Sequence, residues 1–129
     1  MHNDAWYEAM PLARTLGIEL VAAEREEVRA RLAWSPELCT AGGLLHGGAI
    51  MALADGVAGT CAFLNLPDGA AGTATIQSAT SFLRPVSSGH VEAVSRPLRV
   101  GRTVIHVATD VLDADDRLVA RVTQAQAVL

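Results

Sequence analysis

Hydrophobic and polar positions change period several times along this chain. Val28, Ala30, Leu32 and Trp34 alternate with Glu27, Arg29, Arg31 and Ala33, the two-residue period of a half-buried strand. Residues 18–24 read as its hairpin partner. Upstream, DAWYEAMPLARTL (4–16) predicts a short helix capped by Asn3 or Asp4, stopped at Gly17 and broken or kinked at Pro11. Pro36, Gly42 and Gly43 mark 35–45 as a loop. The run from Gly47 to Leu64 is apolar nearly all round, which predicts a helix buried on most faces. After PDGAAG (67–72) come four strand-like segments, 73–84, 89–100, 102–112 and 117–128. Their hairpin corners fall at Arg99–Arg102 and Asp113–Asp116, and Pro97 marks a bulge or an edge position.

One long apolar helix among six strands is accommodated when an antiparallel sheet curls around it, an α+β arrangement. No repeat, low-complexity stretch or linker divides the chain. We expect one domain over 1–129, with an N-terminal helical segment at 1–16.

Composition narrows the classes. In 129 residues, half of them hydrophobic, there is material for a sizeable core and little room for disorder. The net charge of −4, without a block of like charges, disfavours nucleic acid as the partner. Between Glu37 and Asp68 the one formally charged residue is Asp55, and its uncharged flanks are each shorter than the ~20 residues of a membrane span. The glycines crowding that stretch argue against a span as well. The N-terminus carries two acids and no apolar leader, and Cys39 and Cys61 stand outside any metal-ligand spacing, so free thiols in a cytoplasmic protein are expected. His2, His46, His90 and His106 are scattered, which gives no metal site.

Asp55 is the residue that asks for an explanation. Its helical neighbours Met51, Ala52, Ala58 and Gly59 offer neither charge nor side-chain donor. A carboxylate so placed either caps nearby backbone or is a poised base or nucleophile. His46-Gly47-Gly48 lies at the helix start, where backbone N–H groups and the helix dipole favour a developing oxyanion; the alternative is a plain glycine-rich turn. Gly47 and Asp55 are eight residues apart, about 12 Å along a helix. One carbonyl cannot meet both within a single chain. If both act on it, a two-fold dimer must supply the second.

His46-Gly47-Gly48, Leu53-Ala54-Asp55 with Gly59, Phe82-Leu83-Arg84-Pro85 and Gly101-Arg102-Thr103 together resemble the hot-dog-fold acyl-CoA thioesterases. The subgroup most similar is the phenylacetic-acid-degradation type of the 4-hydroxybenzoyl-CoA thioesterase superfamily, over roughly residues 15–129. The resemblance implies a curved antiparallel sheet wrapped around one long helix, and a homodimer usually paired again into a tetramer. It implies that the Gly47 N–H polarises the thioester carbonyl and that Asp55 of the other chain is general base or nucleophile. His46 then orients the helix-start loop or the substrate, with Gly48 beside it, and Thr75 positions water. Relatives commonly carry asparagine where this chain has Thr40, which leaves Thr40 a single hydroxyl for substrate binding. Arg84, Arg99 and Arg102 are candidates for the coenzyme A phosphates, or solvated strand arginines. Coenzyme A is part of the substrate, so no cofactor or metal is expected.

Two other readings share this fold. A hydratase or dehydratase on acyl thioesters pairs its acid with a histidine a few residues away, and Asp55 has none so near. A non-catalytic acyl-CoA-binding protein gains nothing from a carboxylate in an apolar helix. Leu53, Val57 and Phe63 either line an acyl pocket or fill the core.

Overall fold

The structure, a computed structural model, describes residues 3–129. Met1 and His2, the first residues of the expected helical segment, lie outside the described residues. The N-terminal segment is two short helices, α1 (Asn3–Ala9) and α2 (Pro11–Leu16). Pro11 breaks the helix and opens the next one, where its missing N–H costs nothing. Gly17, at φ 76°, closes α2 in the left-handed conformation that glycine reaches without strain.

Strands β1 (Glu19–Ala23) and β2 (Val28–Ala33) follow as a hairpin, then the long helix α3 (Gly47–Leu64), then β3 (Thr73–Phe82), β4 (His90–Val100), β5 (Val104–Asp113) and β6 (Leu118–Val128). They form one antiparallel sheet in the order β1-β2-β4-β5-β6-β3, with β1 and β3 as its edges. β3 is therefore carried past the other strands to pair with the last one. The β4–β5 register slips between Pro97 and Arg99, so the proline does mark a bulge.

α3 packs against β2 to β6, and the core lies between helix and sheet. Ile50, Leu53, Val57 and Cys61 on the helix meet Val91, Ala93, Ile105, Val107, Val111 and Val122 from alternate positions of the strands. By length and composition α3 could cross a membrane, yet half of it is buried inside this protein. It is a core helix enclosed by its own sheet. The hot-dog arrangement implied by the sequence motifs is the one observed.

α1 is anchored by Trp6, 1% exposed, whose indole N–H donates to Thr60 Oγ1 at 2.9 Å. Gly56 makes room for Met10 beside it, since a Cβ there would meet Met10 Cε at 3.3 Å. The N-terminal helices thus roof one end of α3.

α3 is buried on most faces, as expected, but one stripe stays open. Gly48, Met51, Asp55 and Phe63 are exposed, and Ala52 and Gly59 are half-buried, a stripe at three- and four-residue spacing that the protomer leaves open. Asp55 lies on that stripe, exposed, not within the apolar interior.

Candidate active site

His46 is the N-cap residue of α3, and its Nδ1 accepts from the Gly48 N–H at 2.7 Å. A Cβ on Gly48 would sit 2.9 Å from that nitrogen, so glycine is what lets the imidazole fold over the helix start. The His46 carbonyl accepts from Ala49 and Ile50. Of the two glycine N–H groups expected to be free, Gly48's is therefore occupied. That of Gly47 has no partner among the described residues, and it points along the positive end of the helix dipole. Gly47 also packs under Phe82, whose Cζ would lie 3.0 Å from a Cβ at this position.

The Gly47 side opens into a cavity of about 390 Å³ with Thr40, Ile50, Phe82, Arg84 and Val86 in its walls. Thr40 and Arg84 are thus brought to Gly47. Arg99 and Arg102 are exposed at the β4–β5 hairpin and line neither this cavity nor the next. His46 and Gly48 border a separate cleft with Leu12, Cys39 and Ala52.

Asp55 faces another cavity, of about 400 Å³, whose walls include Trp6, Met10, Gly59, Phe63, Thr75 and Gln126. Phe63 lines it, whereas Leu53 and Val57 are fully buried core residues. Asp55 Oδ1 accepts two hydrogen bonds at 2.8 Å, one from the Thr75 hydroxyl and one from Gln124 Nε2. Among the described residues no hydrogen bond engages Oδ2. Donors absent from the helix itself therefore arrive from β3 and β6, 20 and 69 residues away. The Thr75 hydroxyl donates to the carboxylate and so holds Asp55 directly.

Register explains how Thr75 comes to face the helix. β3 pairs Thr75 with Gln126 and Gln77 with Ala125, leaving Ile76 as an extra residue, 61% exposed. In an unbroken strand residues three apart point to opposite faces. The bulge puts Thr75 and Ser78 on the same face, opposite Gln126 and Gln124. Gln126 Nε2 donates to Thr75 Oγ1 and to Gln124 Oε1, both at 2.6 Å. Gln124, Gln126 and Ser78 were missed in the sequence. The signal was present as two amides at alternate positions of β6, on the face that Ala120 and Val122 place in the core.

Among the described residues no three His, Cys, Asp or Glu side chains gather as a metal site would require. His90 is half-buried at the start of β4 and His106 is exposed on β5. Cys61, on the buried face of α3, has its thiol pushed by burial from near 9 up to about 11. Both cysteines are free.

An unpaired N–H at a helix start and an anchored carboxylate beside an apolar cavity suit attack on an activated carbonyl. Comparison with known proteins decides the family. Residues 42–120, more than half the chain, match the model of the thioesterase superfamily. The chain belongs to the thioesterase superfamily. Among its relatives, "Putative esterase Rv1847" of Mycobacterium tuberculosis is 31% identical over 114 residues, covering 87% of this chain and 81% of that protein. The solved structure of the same mycobacterial protein superposes with a TM-score of 0.89 at 29% identity, covering 93% of this chain and 97% of that one. The thioesterase HI1161 of Haemophilus influenzae gives 0.86 at 26% identity, over 92% and 82% of the two chains. The E. coli PaaI protein from the phenylacetic acid degradation operon, 17% identical with a TM-score of 0.88 over 98% and 89%, shares the fold. Thioester hydrolysis is thus the general chemistry to which this superfamily member is assigned.

Proposed function

We propose that this protein is an acyl-CoA thioesterase that hydrolyses its substrate to a free acid and coenzyme A at a site shared by two chains. The observation that carries this reading is the separation of the two chemical groups. Gly47 and Asp55 line different cavities with no residue in common. Along the helix they are about 12 Å apart. A second chain related by two-fold symmetry brings one protomer's Gly47 to its partner's Asp55. Support for such a dimer comes from the unpaired edge of β3 and from Ile76 and Phe82, large apolar side chains exposed on it. Pairing of two dimers into a tetramer belongs to the same reading, as does a cytoplasmic setting, which suits two free cysteines.

In this mechanism the Gly47 N–H binds the thioester oxygen as negative charge develops there. Asp55, held through Oδ1, uses Oδ2 to take a proton from water as the water oxygen attacks the carbonyl carbon. The C–S bond breaks, and the proton returns to the departing thiolate of coenzyme A. Direct attack by Oδ2 through an anhydride uses the same geometry. His46 holds the helix start, Thr75 the carboxylate. Thr40, Gly48 and Arg84 border the coenzyme A approach, and Arg99 and Arg102 would meet its phosphates from the hairpin. The acyl group lies in the cavity walled by Trp6, Met10 and Phe63. The phenylacetic-acid-degradation type is the subgroup this reading favours, on the motifs carried by residues 46–55, 82–85 and 101–103.

Thiol release from short, long and aromatic acyl-CoA thioesters, by the native protein and by Asp55→Asn, tests the assignment. Turnover that collapses in the variant while folding persists supports it and identifies the acyl class. Acyl-CoA binding without turnover by the native protein would replace it with a binding role.

A further inference from the structure

The protein has six buried polar side chains among those described: Thr60, Asn65, Ser95, Thr109, Gln124 and Gln126. Four of them complete purely internal contacts. Thr60 bridges Trp6 and the Gly56 carbonyl, Asn65 donates to the Arg25 and Cys61 carbonyls, and Ser95 pairs with Thr109. The two glutamines differ, because their hydrogen bonds lead out of the core to an exposed acid.

Gln126, 1% exposed, receives the Thr73 hydroxyl on Oε1 and spends both Nε2 protons, on Thr75 Oγ1 and Gln124 Oε1. Gln124, 3% exposed, spends both of its own on Asp55 Oδ1 and Ser78 Oγ. Thr75 passes its proton to the same Oδ1. Each donor points one way, from Thr73 through Gln126 to Gln124 and Thr75, and both branches end on one oxygen of Asp55. Reversing Gln124 would set N–H against N–H and carbonyl against carboxylate, and reversing Gln126 would set its carbonyl against that of Gln124, so the direction is fixed. A buried amide is costly unless each of its hydrogen bonds is made, and here the last one is made to the carboxylate.

We infer that Gln124 and Gln126 are positioning residues for Asp55: a buried, one-way amide ladder that clamps Oδ1 and leaves Oδ2 as the single working oxygen toward the cavity. The inference rests on the thioesterase reading and deepens it. Gln124 acts on Asp55 directly; Gln126 acts through Thr75 and Gln124. Gln124 lines neither cavity, and Gln126 reaches the wall of the Asp55 cavity while spending its amide protons within the ladder. The ladder holds the carboxylate at a fixed rotation, which matters to the reacting state more than to substrate binding.

The experiment measures kcat and KM separately for the native protein, Asp55→Asn, Gln124→Leu and Gln126→Leu, with unfolding curves for each. Gln124→Leu is expected to lower kcat about 10- to 100-fold with KM within about threefold, as for an interaction that counts in the transition state. Gln126→Leu is expected to lower kcat less. An unchanged kcat in folded Gln124→Leu, with Asp55→Asn inactive, would overturn this inference and spare the thioesterase reading. Full turnover by Asp55→Asn would overturn both. If the leucine variants do not fold, side-chain amide NMR of the native protein and of Asp55→Ala decides. The Gln124 amide proton is expected to move upfield on loss of the carboxylate, Gln126 less, Asn65 not at all. A Gln124 signal indifferent to Asp55 would sink the ladder.

Discussion

The start of α3 and its middle are eight residues apart, yet they are built by opposite means. At the start, everything is local. His46 caps Gly48 two residues on, and the free group is a backbone N–H that Gly47 would share with almost any residue. At the middle, Asp55 depends on side chains 20 and 69 residues away, delivered by a bulge in β3 and by alternate positions of β6. A donor made of backbone can be specified by a tripeptide. A carboxylate held at one oxygen needs three elements in register. The first half hangs on a backbone proton and on room for two glycines; the second half hangs on single side chains far away in sequence.

The largest effect is expected at the side-chain half. Asp55→Asn keeps shape and both cavity walls but removes the base, and turnover should fall by about 10²–10⁴-fold, the scale of general-base catalysis. Intact unfolding behaviour alongside that loss separates chemistry from folding.

Next comes the backbone half, where proline is the informative replacement. Gly47 opens α3, a position that accepts proline, and His46 at ψ 134° has the extended backbone that proline requires before it. Gly47→Pro deletes the N–H; Gly47→Ala keeps it while crowding Phe82 in the same way. A gap of about 10²–10³ in kcat between the two variants is the expected reading for one oxyanion donor. Equal activity would mean that the backbone proton is not used.

The difference between the halves also explains what the sequence revealed. The order of elements, the span of α3 and the break at Pro11 follow from period and punctuation, which are local. The helix-start tripeptide, Asp55 and Thr75 were identifiable by motif. Three features were not. The exposure of Asp55 depends on which stripe of a nearly all-apolar helix the sheet leaves uncovered, and periodicity is weak where almost every residue is small or apolar. Its donors were sought three and four residues away along the helix, while the ones it uses arrive by β3–β6 pairing. The bulge at Ile76 has no glycine or proline to announce it, so an alternating reading of β3 puts Thr75 and Ser78 on opposite faces.

Smaller effects sharpen the contrast. His46→Ala should cost about 1 kcal/mol of stability by denaturant unfolding, the ordinary value of an N-cap, and reduce turnover far less than Gly47→Pro. An activity loss as large as that of Gly47→Pro would give His46 a part in the chemistry. Smallest of all is the response of the thiols. Cys61, on the buried face of α3 with its thiol raised to about 11, should stay unmodified by a thiol reagent at pH 8 until the protein unfolds. Native protein should then titrate no more than one thiol, that of half-buried Cys39 in the helix-start loop.

The central claim is that one protomer's helix start works with its partner's carboxylate. The most direct measurement co-expresses Gly47→Pro and Asp55→Asn chains under different affinity tags and assays the purified heterodimer. A shared site leaves one complete pair of Gly47 and Asp55 per heterodimer, so activity should return to about half that of the native dimer. Activity no higher than that of the two parent homodimers would contradict the account and return both groups to a single chain.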